Sequence, residues 1–195
     1  MRKHYYVWGI VVGVMALIGW FGYSTYQTMQ NNRIATKAAT IRRTDCRAFQ
    51  STFGTQLDRI DQFFIDSLKK QVTPGEALQL VDGLEGQLPT FSQVQMKNPY
   101  LKKEHEKLVV NLRSFSRDLR AWVNQAHAGV AYWNFRQQQG KNHIFDGQSE
   151  LNAIRFFCDD RYYNFIRKLY PEVDRDPIKV MNDPTPIVQK LKRSL

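Results

Sequence analysis

Between Tyr5 and Tyr23 the chain carries no charged residue, and this feature constrains the fold more than anything that follows it. The run is built of Val, Ile, Leu, Met and Gly, with Tyr5, Tyr6 and Trp8 at one end and Trp20, Phe21 and Tyr23 at the other. As a helix rising about 1.5 Å per residue it would span roughly 28 Å, close to the hydrocarbon thickness of a bilayer. Aromatic rings with a polar edge favour membrane–water interfaces, so their clustering at both ends fits a spanning helix. A cleaved leader would need a shorter apolar core and a small-x-small site. The nearest approach is Gly22-Tyr23-Ser24, with a bulky ring between, and the uncharged stretch runs on to Asn32. The expectation is a retained single-pass anchor at 5–23. Arg2 and Lys3 abut the apolar run directly, whereas Arg33, Lys37, Arg42 and Arg43 begin about ten residues beyond it. That bias puts 1–4 in the cytoplasm and the rest on the extracytoplasmic side of a cytoplasmic membrane. Gly9, Gly13 and Ala16 share one helix face, an arrangement that lets two membrane helices approach closely.

The 195-residue chain leaves room for one domain at 24–170 and a proline-containing tail at 171–195. Net charge is +10, spread along the chain rather than packed into a block. Such a balance suits a solvated surface or anionic lipid headgroups. No finger, ribonucleoprotein signature or helix-turn-helix accompanies it, so no nucleic acid is expected. Cys46 and Cys158 are the two cysteines, and in an exported domain an even, minimal count points to one disulfide.

Apolar residues recur at helical spacing from Ser24 to Lys70, through Ile34, Ala38, Ile41, Cys46, Phe49, Phe53, Leu57, Ile60, Phe64 and Leu68. Thr73-Pro74-Gly75-Glu76 is a capping box with proline at the first helical position, opening a short helix that should stop before Pro89. Asn98-Pro99 opens the most regular stretch. Leu101, His105, Leu108, Leu112, Phe115, Leu119, Trp122 and Ala126 alternate steps of four and three, and the helix should reach Gln139, with Gly140 as its stop. A last helix carries Leu151, Ile154, Cys158, Tyr162, Phe165 and Leu169 and ends at Pro171. The fold class is therefore all-α: one N-terminal transmembrane helix, then an antiparallel bundle of three to four helices, the first and third long. Folding the chain at 71–98 sets residue 70 level with residue 99, which brings Cys46 near Val123. A second fold at 140–147 brings Cys158 near Gly129, close enough in height for a bond.

No reaction is legible. HExxH is absent, no histidines share a metal-ligand spacing, and no metal or cofactor is expected. Glu104-His105-Glu106 puts only His105 on the seam, as a polar residue in a helix interface. Asp159-Asp160, on the last helix, reads as a salt-bridged face shared with Arg155, Arg161 and Arg167. No nucleophile has an evident base, so the expectation is a non-enzyme. Aromatic density is the unusual feature. Phe156, Phe157 and Tyr163 cannot all share a seam with Cys158 and Tyr162, which leaves Trp133, Phe156 and Tyr163 as a candidate partner surface.

An anchor leading into a helical bundle is similar in plan to the extracytoplasmic halves of bacterial sensors and to LemA-type membrane proteins. Pro99-Tyr100-Leu101-Lys102, opening a long helix, resembles the latter. The remaining residues match no motif, and no family is assigned. The function expected is a non-enzymatic accessory or scaffold in an envelope assembly, partnered by membrane lipid and by another envelope protein or a second copy. Its rivals are a ligand-sensing bundle that signals through a membrane partner, and a cytoplasm-facing basic domain lying on anionic lipid. With only 1–4 inside, any signal would have to pass through a partner.

Overall fold

The computed structural model describes residues 2–69, 72–125 and 131–182, except the side chains of 2–14, 16–18 and 68. Every regular element among them is helical: α1 Arg2–Leu68, α2 Pro74–Ser92, α3 Pro99–Gln125, α4 Tyr132–Gln138, α5 Gln148–Cys158, α6 Asp160–Leu169, a 3₁₀ turn Pro171–Asp174, and α7 Pro177–Asn182. The chain divides into two units, Met1–Thr40 and Ile41–Leu195.

The first unit is helical backbone throughout its described length. Trp20, Phe21, Tyr23, Tyr26 and Met29 are exposed. Hydroxyls bond back one turn, Thr25 to the Phe21 carbonyl, Thr28 to Ser24 and Thr36 to Asn32. Among the described residues no helix is long and apolar enough to cross a membrane. The expected span at 5–23 falls largely on side chains outside the described set, and so do Gly9, Gly13 and Ala16.

The second unit is a four-helix bundle of α1 from Ile41, α2, α3 and α5, each antiparallel to the next. Ring contacts set the register. Phe91 meets Phe49 and Phe53, while Phe63 meets Phe115 and Tyr132. Asp45 accepts from the amides of Lys97 and Asn98, at 2.8 and 2.6 Å. Residue 98 therefore lies beside residue 45, and α3 runs parallel to α1. The expected register, with 70 level with 99, is wrong because 71–98 is no compact connector. α2 continues through Pro89 to Ser92 and carries the chain back along α1. Proline removes one ladder bond, but Leu88 and Phe91 on either side of it are buried, and that burial keeps the last turn helical.

The caps follow their local chemistry. Thr73 and Glu76 form the capping box. Asn98 Oδ1 accepts from the amides of Tyr100 and Leu101. The α3 seam from Leu101 to Trp122 is buried as its spacing requires; Ala126 lies outside the described residues. Two long helices expected from the sequence are divided. Ala131, with ψ 144°, caps a separate α4. Gly140, at φ 72°, supplies the left-handed stop after it. Asp159 takes an extended conformation (φ −70°, ψ 119°) and accepts from the amides of Arg161 and Tyr162, ending α5 and starting α6. A short acidic side chain that bonds its own downstream amides competes with helix continuation. The break shifts the phase of the buried face, which runs Leu151, Ile154, Phe157, then Tyr163 and Ile166.

Candidate functional site

Arg42, Arg43, Cys46, Arg47 and Gln50 occupy successive turns of α1, and with Cys158 and Asp160 they line an open cleft of about 440 Å³. Its wall contains the one disulfide of the chain, between Cys46 and Cys158, with Cα atoms 5.6 Å apart. The expected bond is therefore present, though the register argument that led to it was not the right one. Cys46 sits near the start of the bundle portion of α1, and Cys158 reaches it because α5 runs back up the bundle to the α2–α3 connection. Tyr100 on α3 meets Phe157 there, ring to ring, at 4.8 Å.

Arg42 organises the site from beneath. Its side chain is 3% exposed. It donates to the carbonyls of Phe157 (2.9 Å) and Cys158 (3.2 Å) and pairs with Asp160. The last carbonyls of a helix lack intrahelical donors and carry the negative end of its dipole, so a guanidinium there satisfies both needs. The same group lies 4.3 Å over the centroid of Tyr163. Hydrogen bonding to Arg42 and then the charge of that group hold the Asp160 carboxyl below the usual range, with burial opposing and Arg43 adding a lesser pull. Tyr163 donates to Asp174 at 2.8 Å. Burial first, and that bond second, push its phenol well above the ordinary value.

These facts correct the sequence reading at several residues. Tyr163 is 3% exposed, inside the core and under Arg42, so it is no surface residue. Trp133 is partly buried and packed on the core. Phe156, at 55% exposure, does lie outside, in contact with Tyr162 at 5.3 Å between ring centres, and Phe165 is exposed as well. Asp159 and Asp160 share no face: one caps α6, the other pairs with Arg42. Arg155 instead reaches Asp61, 2.5 Å away, and Arg167 reaches Asp174 at 2.7 Å.

In the sequence Arg42 stands out only as one of the charges beyond the uncharged run. Its signal was its place on a stripe with Asp45, Phe49 and Phe53, since a charge on an apolar stripe must find a partner inside. Arg136 is a second buried cation of this kind. Fully buried, it binds Asp118 (2.5 Å), Asp146 (2.6 Å) and the His143 carbonyl (2.9 Å). His105 donates through Nε2 to the Phe91 carbonyl, 3.1 Å away, and meets the Phe91 ring edge-on. Burial lowers its pKa, with that hydrogen bond and Glu106 opposing.

A second groove, of about 480 Å³, lies between α1 and α2 over Phe63 and Leu80. Its carboxylates are engaged: Asp66 by Gln62, Glu76 by Thr73, and Asp82 by Arg120. Among the described residues no group of His, Cys, Asp and Glu could hold a metal ion. No protein-family model matches the chain, and neither a curated protein nor a solved structure is significantly similar to it.

Proposed function

We propose that this protein is a non-enzymatic, membrane-anchored helical scaffold on the extracytoplasmic side of a cytoplasmic membrane, acting as an accessory subunit in an envelope assembly. The observation that carries the reading is the Cys46–Cys158 bond in a bundle that follows the uncharged run at 5–23. Disulfides persist in oxidising compartments, and the charges nearest the run, Arg2 and Lys3, favour an inside N-terminus. The exposure of Trp20, Phe21 and Tyr23 suits side chains that meet lipid headgroups.

Association is lateral in this reading, through Gly9, Gly13 and Ala16 in the membrane and through the exposed rings of Phe156 and Phe165 on the bundle. The partner is another envelope protein or a second copy. Most of the aromatic side chains that a ligand sensor would turn toward a pocket are instead packed on one another, as Phe63, Phe115, Tyr132 and Trp122 are. The disulfide weighs against a cytoplasm-facing domain.

C-terminal fusions to two reporters, one active only outside the membrane and one only inside, test the reading. The outside reporter is expected to be active, and activity of the inside one alone would overturn the proposal. Gly9→Ile with Gly13→Ile should weaken crosslinking between partners in native membranes while insertion persists, since Ile is compatible with the bilayer core.

A further inference from the structure

We propose that a second copy of this chain docks in the groove between α1 and α2, and that the part it inserts is the outer ridge of α3 formed by Val110, Arg113 and Arg117. The inference deepens the lateral association proposed above. That the copies stand side by side in one direction rests on that reading, whereas the match of ridge to groove does not.

The groove is floored by Phe63, Val72 and Leu80, and its charges are sorted along its length. Asp66 accepts from the Gln62 amide, and Glu76 accepts from the Thr73 amide and hydroxyl. These donors are neutral, so both carboxylates keep their charge. Asp82 is paired with Arg120. Arg59, the cation of the lining, lies toward the other end, its guanidinium 3.0 Å from the point that a Cβ on Gly83 would occupy. From residue 59 to 66, and from 83 to 76 on the antiparallel α2, is about 10 Å along a helix.

On α3, Val110, Arg113 and Arg117 follow helical spacing and are exposed, Val110 at 62%. Ser116 and Arg120 turn to Glu85 on α2, while Asn111 turns to Glu150 on α5 and Asp118 to Arg136. The ridge lies between these flanks, opposite the buried Leu108 and Leu112, and so points out of the bundle. α1 lies across the core, where Phe63 meets Phe115. A packed bundle therefore cannot seat its own ridge in its own groove, and the occupant must be another chain.

Height selects a copy of the same chain. Asn98 beside Asp45 sets an offset of 53 residues between the parallel helices α1 and α3. Arg113 is then level with Ile60 and Arg117 with Phe64, inside the stretch from Arg59 to Asp66 that lines the groove. Copies aligned in one direction bring ridge and groove together without a shift along the bundle axis. The two arginines then approach Asp66 and Glu76 as a ridge enters a groove. Because the two faces differ, the contact is heterologous and repeats head to tail.

The test uses the full-length protein in detergent. A light chain carrying photoreactive benzoylphenylalanine in place of Val110 is mixed with an isotopically heavy chain and illuminated. The adduct should join position 110 of the light chain to residues 76–83 of the heavy one, and about 0.5 M salt should reduce it several-fold. Asp66→Lys with Glu76→Lys, and Arg113→Glu with Arg117→Glu, should each lower self-adduct at least about fivefold. Mixing these two variants, the probe carried by the second, should restore it, since a reversed ridge then meets a reversed groove. Restoration also shows that both variants fold. Adducts confined to one chain, adducts between chains that miss the groove, or a mixture no better than its components would overturn the proposal. The reporter fusions decide the membrane reading separately and leave this result standing.

Discussion

Arg42 shows how much one side chain can settle in a small bundle. It closes the α5 terminus, pairs with Asp160 and covers the Tyr163 ring. Arg42→Met would leave the carbonyls of Phe157 and Cys158 without their donor, at a cost of about 2–4 kcal/mol in denaturant unfolding. Asp160→Asn should cost less than about 1 kcal/mol, because that carboxylate is 56% exposed and water replaces much of its partner. Equal losses for the two variants would mean that the ion pair, rather than the helix terminus, is what Arg42 serves. His105 sets a pH response. Its folded pKa is depressed by burial, so the unfolded chain takes up the proton first as pH falls. Stability from this residue is full above the ordinary histidine value of about 6.5 and declines from there down to the folded pKa. Unfolding midpoints should therefore fall between pH 7.5 and 5.5 in the wild type. The slope should be shallower in His105→Gln, whose amide can still donate to Phe91. Identical slopes would count against it.

At the scale of the helix, α2 runs through a proline that the sequence marks as a stop. Pro89 is exposed, and Pro89→Ala supplies an N–H for the Glu85 carbonyl. Thermal unfolding should register a gain of about 1–2 kcal/mol, somewhat offset by the freer unfolded chain. A loss would show that the missing bond has a compensating partner. The α3 seam was fully legible because its steps of four and three run without interruption from Leu101 to Trp122, and the caps at Thr73 and Asn98 were legible for equally local reasons. The break at Asp159 was not, although its signal was there. An aspartate followed by an acidic first turn is a helix start, a signal that the adjacent-acid pattern of Asp159-Asp160 masks. Periodicity misled here: Cys158, Tyr162, Phe165 and Leu169 keep a helical spacing across a residue that is not helical. The burial of Phe157 and Tyr163 follows from that break and could not be had from spacing alone.

At the scale of the molecule, the all-helical, antiparallel character of the bundle was legible but its register was not. Counted as part of a fold-back, the short helix expected before Pro89 sets residue 99 beside residue 70; as a full antiparallel leg running to Ser92 it places residue 98 beside residue 45 instead. The candidate cleft was unreadable for the same reason, since it joins turns of α1 to a helix end 112 residues away. Changing Cys46 and Cys158 together to Ser should lower stability by up to about 4–5 kcal/mol through the freed unfolded chain, with the helical spectrum retained. A change under about 1 kcal/mol would mean that the reduced, unfolded chain stays compact around the same contacts. The covalent link has a mechanical consequence as well. Tension applied between the N-terminal helix and residues after Cys158 passes through the sulfur bond and never reaches the segment it encloses. In a pulling experiment the oxidised chain should yield a contour length shorter by about 390 Å than the reduced one, taking some 3.5 Å for each of the 112 enclosed steps. For a protein tied to a surface at one end and loaded at the other, α2, α3 and most of α5 would remain folded under a force that straightens everything outside the loop.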